Sequence, residues 1–194
     1  GQEVPYGLFL QKAYDEEIDQ MAELIRNLKE RPFSSRHIIT SWIPEFIPFE
    51  ELSPQDNVIL GKGALAPCHV LQQYIVLPPK KEGGKYRLSL QMYQRSLDTG
   101  PGGAFNLAQY SLLLTMVAQV VGMEADEFIW TVGDAHIYLN QLDQVKEHIS
   151  RVPTPAPKLE INPNVKSIFD FKFEDFKITD YNPIRPGISY PISK

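Results

Sequence analysis

The chain has 194 residues, 43% of them hydrophobic and 22% charged, with a formal net charge of -5 at pH 7. That length suits a single domain with a sizeable core, and the acidic balance speaks against a general nucleic-acid surface. One cysteine excludes an internal disulfide, no apolar run reaches the ~20 residues that span a bilayer, and the opening Gly1-Gln2-Glu3-Val4-Pro5 lacks the basic and apolar regions of a signal peptide. A reducing, cytoplasmic setting is therefore the expectation.

Asp15 to Glu30 reads as an amphipathic helix, with Ile18, Met21, Leu24, Ile25 and Leu28 at helical spacing, and Arg31-Pro32 ends it. The β-branched and aromatic run from His37 to Ile43 reads as a strand. Residues 44–63 hold Pro44, Pro48, Pro54 and Gly61-Lys62-Gly63 and read as one long loop. Cys68 to Leu77 and Tyr86 to Ser96 read as two strands joined by a Pro- and Gly-rich connection. Phe105 to Val121 is apolar nearly all round, the mark of a buried helix, with Gly122 as its stop. Glu127 to Tyr138 reads as a strand and Leu139 to Ser150 as a helix. The proline-rich tail carries short strand-like runs such as Lys158-Leu159-Glu160-Ile161. Strands and helices without regular alternation predict an α+β fold: a mixed sheet packed with helices, one of them long and buried, in one domain over residues 1–194.

Three stretches carry chemistry. Cys68 follows Ala66-Pro67 and precedes His69. Read alone, a lone cysteine is more often a small buried hydrophobe than a nucleophile. A functional reading needs positive charge or a base near the sulfur, and His69, its neighbour on a strand, points to the opposite face. Gln94-Arg95-Ser96-Leu97-Asp98 leads into a glycine-rich turn and then Asn106. Arg95 and Ser96 suit a phosphate, and Asn106 has a bland alternative as a helix cap. His136 and Tyr138 are two apart, hence on one face of a strand with Ile137 facing the core; the pair suits a hydroxyl-rich ligand. No spacing of histidine and cysteine matches a metal site.

Taken together, the ordered motifs resemble the thymidylate synthase family. They are Ser35-Arg36-His37-Ile38-Ile39, Ala66-Pro67-Cys68-His69, Tyr93-Gln94-Arg95-Ser96-Leu97-Asp98, Phe105-Asn106 with Tyr110, Gly133-Asp134-Ala135-His136-Ile137-Tyr138, and the tail segments Phe173-Glu174-Asp175-Phe176 and Tyr181-Asn182-Pro183. The resemblance covers most of the chain from about Tyr6 onward. It implies dUMP as substrate, 5,10-methylenetetrahydrofolate as one-carbon donor, no metal, and a two-fold dimer through the sheet. It implies Cys68 as the nucleophile, with Arg95 and Ser96 on the 5′-phosphate and Arg95 placing positive charge by the sulfur. Asn106 would read the pyrimidine edge, supported by Gln94 and His69, while His136 and Tyr138 would hold the 3′-hydroxyl. Asp98, Gly102 and Phe105 would form the folate site. Tyr6 would stand near the active site, and Arg36 would reach the neighbouring subunit's phosphate.

The same resemblance implies departures. A usual member has roughly a third more chain, much of it ahead of Tyr6. His37 stands where the family has a second arginine, a change that weakens a phosphate contact or makes it pH-dependent. Residues 44–63 form an insertion, and the C-terminus lacks the family's apolar tail. Two alternatives follow: a deoxypyrimidine-monophosphate hydroxymethylase of the phage type, with the host cytoplasm as its setting, or an inactive member acting as a binding subunit.

Overall fold

The computed structural model describes residues 18–192; Tyr6 and the start of the expected first helix lie outside the described residues. Helix α1 spans Gln20–Glu30, and the Asp19 side chain caps it by accepting from the backbone N–H groups of Met21 and Ala22. Leu24 and Leu28, one turn apart, are its buried residues. Gln20 does a second job: its amide donates to the Thr40 carbonyl at 3.1 Å and accepts from Thr40 N–H at 2.8 Å. That pair satisfies backbone groups on the edge strand β1, Ile38–Thr40.

Four strands form the main sheet in the order β1, β2 (His69–Leu77), β3 (Arg87–Asp98) and β4 (Glu124–His136). The first two pairings are antiparallel and the last is parallel. A parallel pair needs a long crossover, and helix α3, Thr99–Val121, supplies it. Before it, the short helix α2 covers Pro54–Ile59; after β4 come a 3₁₀ turn at Leu139–Gln141 and helix α4, Leu142–Ser150. The tail adds a separate antiparallel ribbon of β5 (Lys158–Ile161) and β6 (Phe176–Thr179). The α+β class and the mixed sheet thus stand as expected.

One face of the sheet is sealed by the two longer helices. Tyr74, Val76, Leu88, Leu90 and Met92 pack against Leu24 and Leu28 of α1 and Tyr110, Leu114, Val117 and Ala118 of α3. The other face stays open: Ile38, Tyr93 and Ile129 are exposed on it. Helix α3 is long enough and apolar enough to cross a bilayer by composition, although no such run was expected. Here the second half of it lies in the core, and its first turns leave Phe105 and Leu107 exposed.

The structure corrects the reading of residues 44–63 as loop throughout. Pro44–Phe46 is a 3₁₀ turn, and α2 begins at Pro54, with Ser53 as N-cap. Proline at a first helical position is favourable because its missing N–H would have no partner there. The segment is organised around Asn57, which is 1% exposed. Its Nδ2 donates to the carbonyls of Phe49, Leu52 and Ser53, and its Oδ1 accepts from Phe49 N–H. A backbone bond from Gly63 N–H to Phe46 carbonyl closes the excursion, so the segment is a compact loop packed on its own side chain. Asn57→Ala should cost about 2–3 kcal/mol, because it strands several buried backbone groups at once; urea unfolding measures this, and a loss below ~0.5 kcal/mol would mean the loop closes without the amide.

Candidate active site

Cys68 sits at the mouth of β2 and is exposed. Across from it, Arg95 of β3 is bound to the cysteine segment at four points. Its backbone N–H donates to the Cys68 carbonyl at 2.8 Å. Its Nε donates to the Pro67 carbonyl at 2.9 Å and its Nη2 to the Ala66 carbonyl at 3.0 Å. Nη2 also lies 3.8 Å from Cys68 Sγ. Guanidinium geometry is a planar fork with five donors, so the same group that orders the Ala66–Cys68 turn places its charge at the sulfur. The Trp42 ring stands 5.7 Å from the guanidinium carbon, within cation–π range. Gly133 faces this residue on β4. A Cβ there would stand 2.9 Å from the Arg95 carbonyl oxygen and 2.8 Å from Tyr93 Oη, so only glycine lets the two strands approach.

The register of β2 against β3 shifts between His69 and Leu71. Such a bulge re-aims side chains, and His69 here turns toward α3. Its ring meets Tyr110 edge-on at 5.1 Å, Tyr110 stacks on Phe128 at 5.8 Å, and Phe128 on Trp130 at 6.3 Å. Burial pushes the His69 imidazole below the usual histidine range, opposed by a hydrogen bond with Asn106. His69 is therefore neutral near pH 7 and touches the Asn106 amide, in a supporting place rather than against the sulfur.

Gln94 is 2% exposed, and its amide orientation follows from its partners. Trp130 Nε1 donates to Gln94 Oε1 at 3.1 Å, and an indole N–H can only donate. That leaves Gln94 Nε2 to donate to the Ser96 carbonyl at 2.9 Å and to Asn106 Oδ1 at 3.1 Å. Asn106 in turn holds its oxygen toward Gln94. A relay of three side chains thus sets which way the Asn106 amide faces.

The glycine-rich stretch is not a turn. Helix α3 starts at Thr99 and takes in Gly100, Gly102 and Gly103, with Asp98 at its N-cap position. Asn106 accordingly lies two turns inside the helix and caps nothing. Gly102 lies against it, where a Cβ would stand 3.3 Å from Leu97 Cδ1 and 3.6 Å from Asn106 Oδ1. Phe105 is 77% exposed and lines a cavity of about 760 Å³, together with Gly100, Pro101, His148, Arg151 and Tyr190. Asp98 Oδ2 accepts from Gln141 Nε2 at 2.9 Å, while its Oδ1 is buried without a partner among the described residues.

His136 pairs in register with Asp98, and Ser96 with Asp134. Strand β4 ends at His136, so Tyr138 lies beyond it. The two rings meet all the same, edge to face at 5.0 Å. Ile137, expected in the core, is exposed, because the chain leaves strand geometry there. Arg36 is exposed and precedes β1, whose Ile38 pairs with Gln73; that is the opposite end of the strand pair from Cys68. His37, expected as a substitute phosphate contact, is 1% exposed instead. Its Nε2 donates to the carbonyls of Arg31 and Pro32 at 3.0 and 3.1 Å, closing the end of α1. Trp42, Trp130 and Gln141 were not read as site residues. Trp42 lies inside the strand-like run from His37 to Ile43, and Trp130 precedes the Gly133–Tyr138 motif, which is the only signal the sequence held for either.

The cluster therefore joins Cys68, His69, Gln94, Arg95, Ser96 and Asn106 around one sheet end, with Asp98, His136 and Tyr138 beside it. Since His69 is pushed down by burial, its folded form resists the proton that the unfolded chain takes up. Stability should therefore fall as pH drops below its ordinary value of 6.5. The His69 ring signals in an NMR titration should show a midpoint under 6.5; a midpoint at or above it would contradict the burial account.

Comparison with known proteins gives relatives of the chain as a whole. A family model described as thymidylate synthase matches residues 3–194. Proteins named thymidylate synthase from two strains of Francisella tularensis subsp. holarctica, FTNF002-00 / FTA and OSU18, are each 44% identical over 176 residues. The match covers 91% of this chain and 61% of theirs, so the chain spans under two thirds of the length of the curated relatives it matches. With the family model extending over nearly every residue and these motifs gathered at one end of the sheet, the chain belongs to the thymidylate synthase family.

Proposed function

We propose that this chain carries the nucleotide-binding and nucleophilic part of a thymidylate synthase, converting dUMP to dTMP with 5,10-methylenetetrahydrofolate. The observation that carries the reading is the contact of the Arg95 guanidinium with both the Cys68 turn and the Cys68 sulfur, beside an Asn106 amide of set orientation. A cation 3.8 Å from the sulfur is electrostatically matched to the thiolate that attacks. The new bond joins Sγ to pyrimidine C6, and the C5–C6 π electrons move through C4 onto O4. Asn106 Nδ2 donates to that oxygen as its charge grows, a preorganised dipole of the oxyanion-hole type. Its Oδ1 accepts from N3–H, so uracil fits where cytosine, with the opposite donor pattern, does not. Arg95 and Ser96 hold the 5′-phosphate, and His136 and Tyr138 the 3′-hydroxyl.

The folate co-substrate supplies the one-carbon unit and the hydride. The residues present fit it: Asp98 Oδ1 is a buried acceptor with no partner among the described residues, suited to an N–H donor of a heterocycle. Phe105 offers an exposed ring on α3, the helix that begins just after Asp98. The open apolar face of the sheet, with Ile38, Tyr93 and Ile129, supports a two-fold dimer. Arg36, remote from Cys68 of its own chain, would then serve the partner's phosphate.

Incubation with 5-fluoro-dUMP and methylenetetrahydrofolate, followed by denaturing mass spectrometry, tests the reading. A covalent adduct that disappears in Cys68→Ser is expected, and an intact chain with no adduct would favour a binding subunit. Dihydrofolate release followed by absorbance separates methylase from hydroxymethylase, since the latter leaves tetrahydrofolate as its only folate product. Asn106→Asp should move the preference from dUMP toward dCMP by at least ~10-fold; an unchanged ratio would remove Asn106 from base reading.

A further inference from the structure

The two oxygens of Asp98 stand in unlike surroundings. Oδ2 accepts from Gln141 Nε2 at 2.9 Å. Oδ1 is buried and has no partner among the described residues. Gln141 is itself 0% exposed, and the same Nε2 donates to the Pro191 carbonyl at 3.2 Å. A carboxylate and a carbonyl can only accept, so both bonds demand the amide nitrogen at that place and the side chain cannot be turned over. The segment that Pro191 belongs to is held at a second point, where Tyr190 Oη meets His148 Nδ1 at 2.9 Å. Gly100 makes room for it: a Cβ there would stand 2.8 Å from Tyr190 Cε1. One buried donor therefore joins the Asp98 carboxylate at the start of α3 to the last described residues of the chain.

We propose that Gln141 is a positioning residue for the folate side of the site, an assignment that rests on the folate reading of Asp98. By occupying Oδ2 it leaves Oδ1 as the oxygen offered to a ligand N–H. By holding Pro191 with the same nitrogen it ties residues 184–192 to that carboxylate. Loss of that one donor would release both the carboxylate and the segment. The nucleotide contacts at Cys68, Arg95 and Asn106 do not involve Gln141, so its loss should act on the folate side alone.

The test compares wild type with Gln141→Met, which keeps the volume and removes the donor, and Gln141→Glu, which sets a second carboxylate against Asp98. Gln141→His returns an N–H at similar reach and serves as the rescue. Calorimetry reads the affinities for dUMP and for a non-reactive dideazafolate inhibitor, and hydrogen exchange reads the backbone of residues 184–192. Both donor-free variants should weaken the inhibitor at least ~10-fold, leave dUMP within about twofold, and speed exchange in that segment without ligand; histidine should restore most of each. Unchanged inhibitor affinity overturns the proposal, as does an equal loss of dUMP, which marks general damage to the fold. A wild-type chain that binds dUMP but not the inhibitor overturns the folate reading of Asp98 itself, while the exchange measurement still decides whether Gln141 ties the segment down.

Discussion

Gln94 is buried between strands, and a buried amide must satisfy both of its ends. Its oxygen can be served by the Trp130 indole only one way round, and the remaining donors then reach the Ser96 carbonyl and Asn106 Oδ1. That constraint orders much of what surrounds it. It sets the end of β3 against β4, pins the second turn of α3 to the sheet, and gives the Asn106 amide a direction. A ligand that reads the amide reads, through it, a donor on a neighbouring strand.

A second constraint runs through Arg95. Two main-chain carbonyls and the approach to Sγ converge on its side chain, and its backbone N–H takes the Cys68 carbonyl. The turn before Cys68 has no regular structure of its own, so the guanidinium is what orders it. The conformation of the cysteine turn and the electrostatics at its sulfur therefore depend on the same residue, and lysine, a point charge without the fork, would replace neither role.

The open sheet face and the exposed Phe105 carry another lesson about this chain. One side of the sheet is sealed by the α1 and α3 contacts, and the other keeps Ile38, Tyr93 and Ile129 exposed. Residues 44–63 show the opposite solution: they bury their own polar centre, Asn57, and close on themselves through Gly63 and Phe46.

Patterning in the sequence was enough to place α1, β2, β3 and the core half of α3: α1 and the strands each bury one repeating face, and α3 is apolar nearly all round. The ordered motifs were enough to expect Cys68, Arg95, Asn106, His136 and Asp98 together, and the fold brings them to one end of the sheet. Local pattern failed where a contact distant in sequence decided the outcome. The glycines after Asp98 look like a turn, yet they start a helix, in which Gly100 lies against Tyr190 and Gly102 against Leu97. His37 looks like a surface base, yet it is buried at the end of α1, where its N–H serves the Arg31 and Pro32 carbonyls. Gln141 carries no local signal at all, and Trp130 only its place ahead of the Gly133–Tyr138 motif. Their roles exist only because the fold brings an indole to Gln94 across a parallel pair, and a glutamine to Asp98 across a gap of forty-three residues, and hydrogen bonding is directional at ~3 Å whatever the separation along the chain.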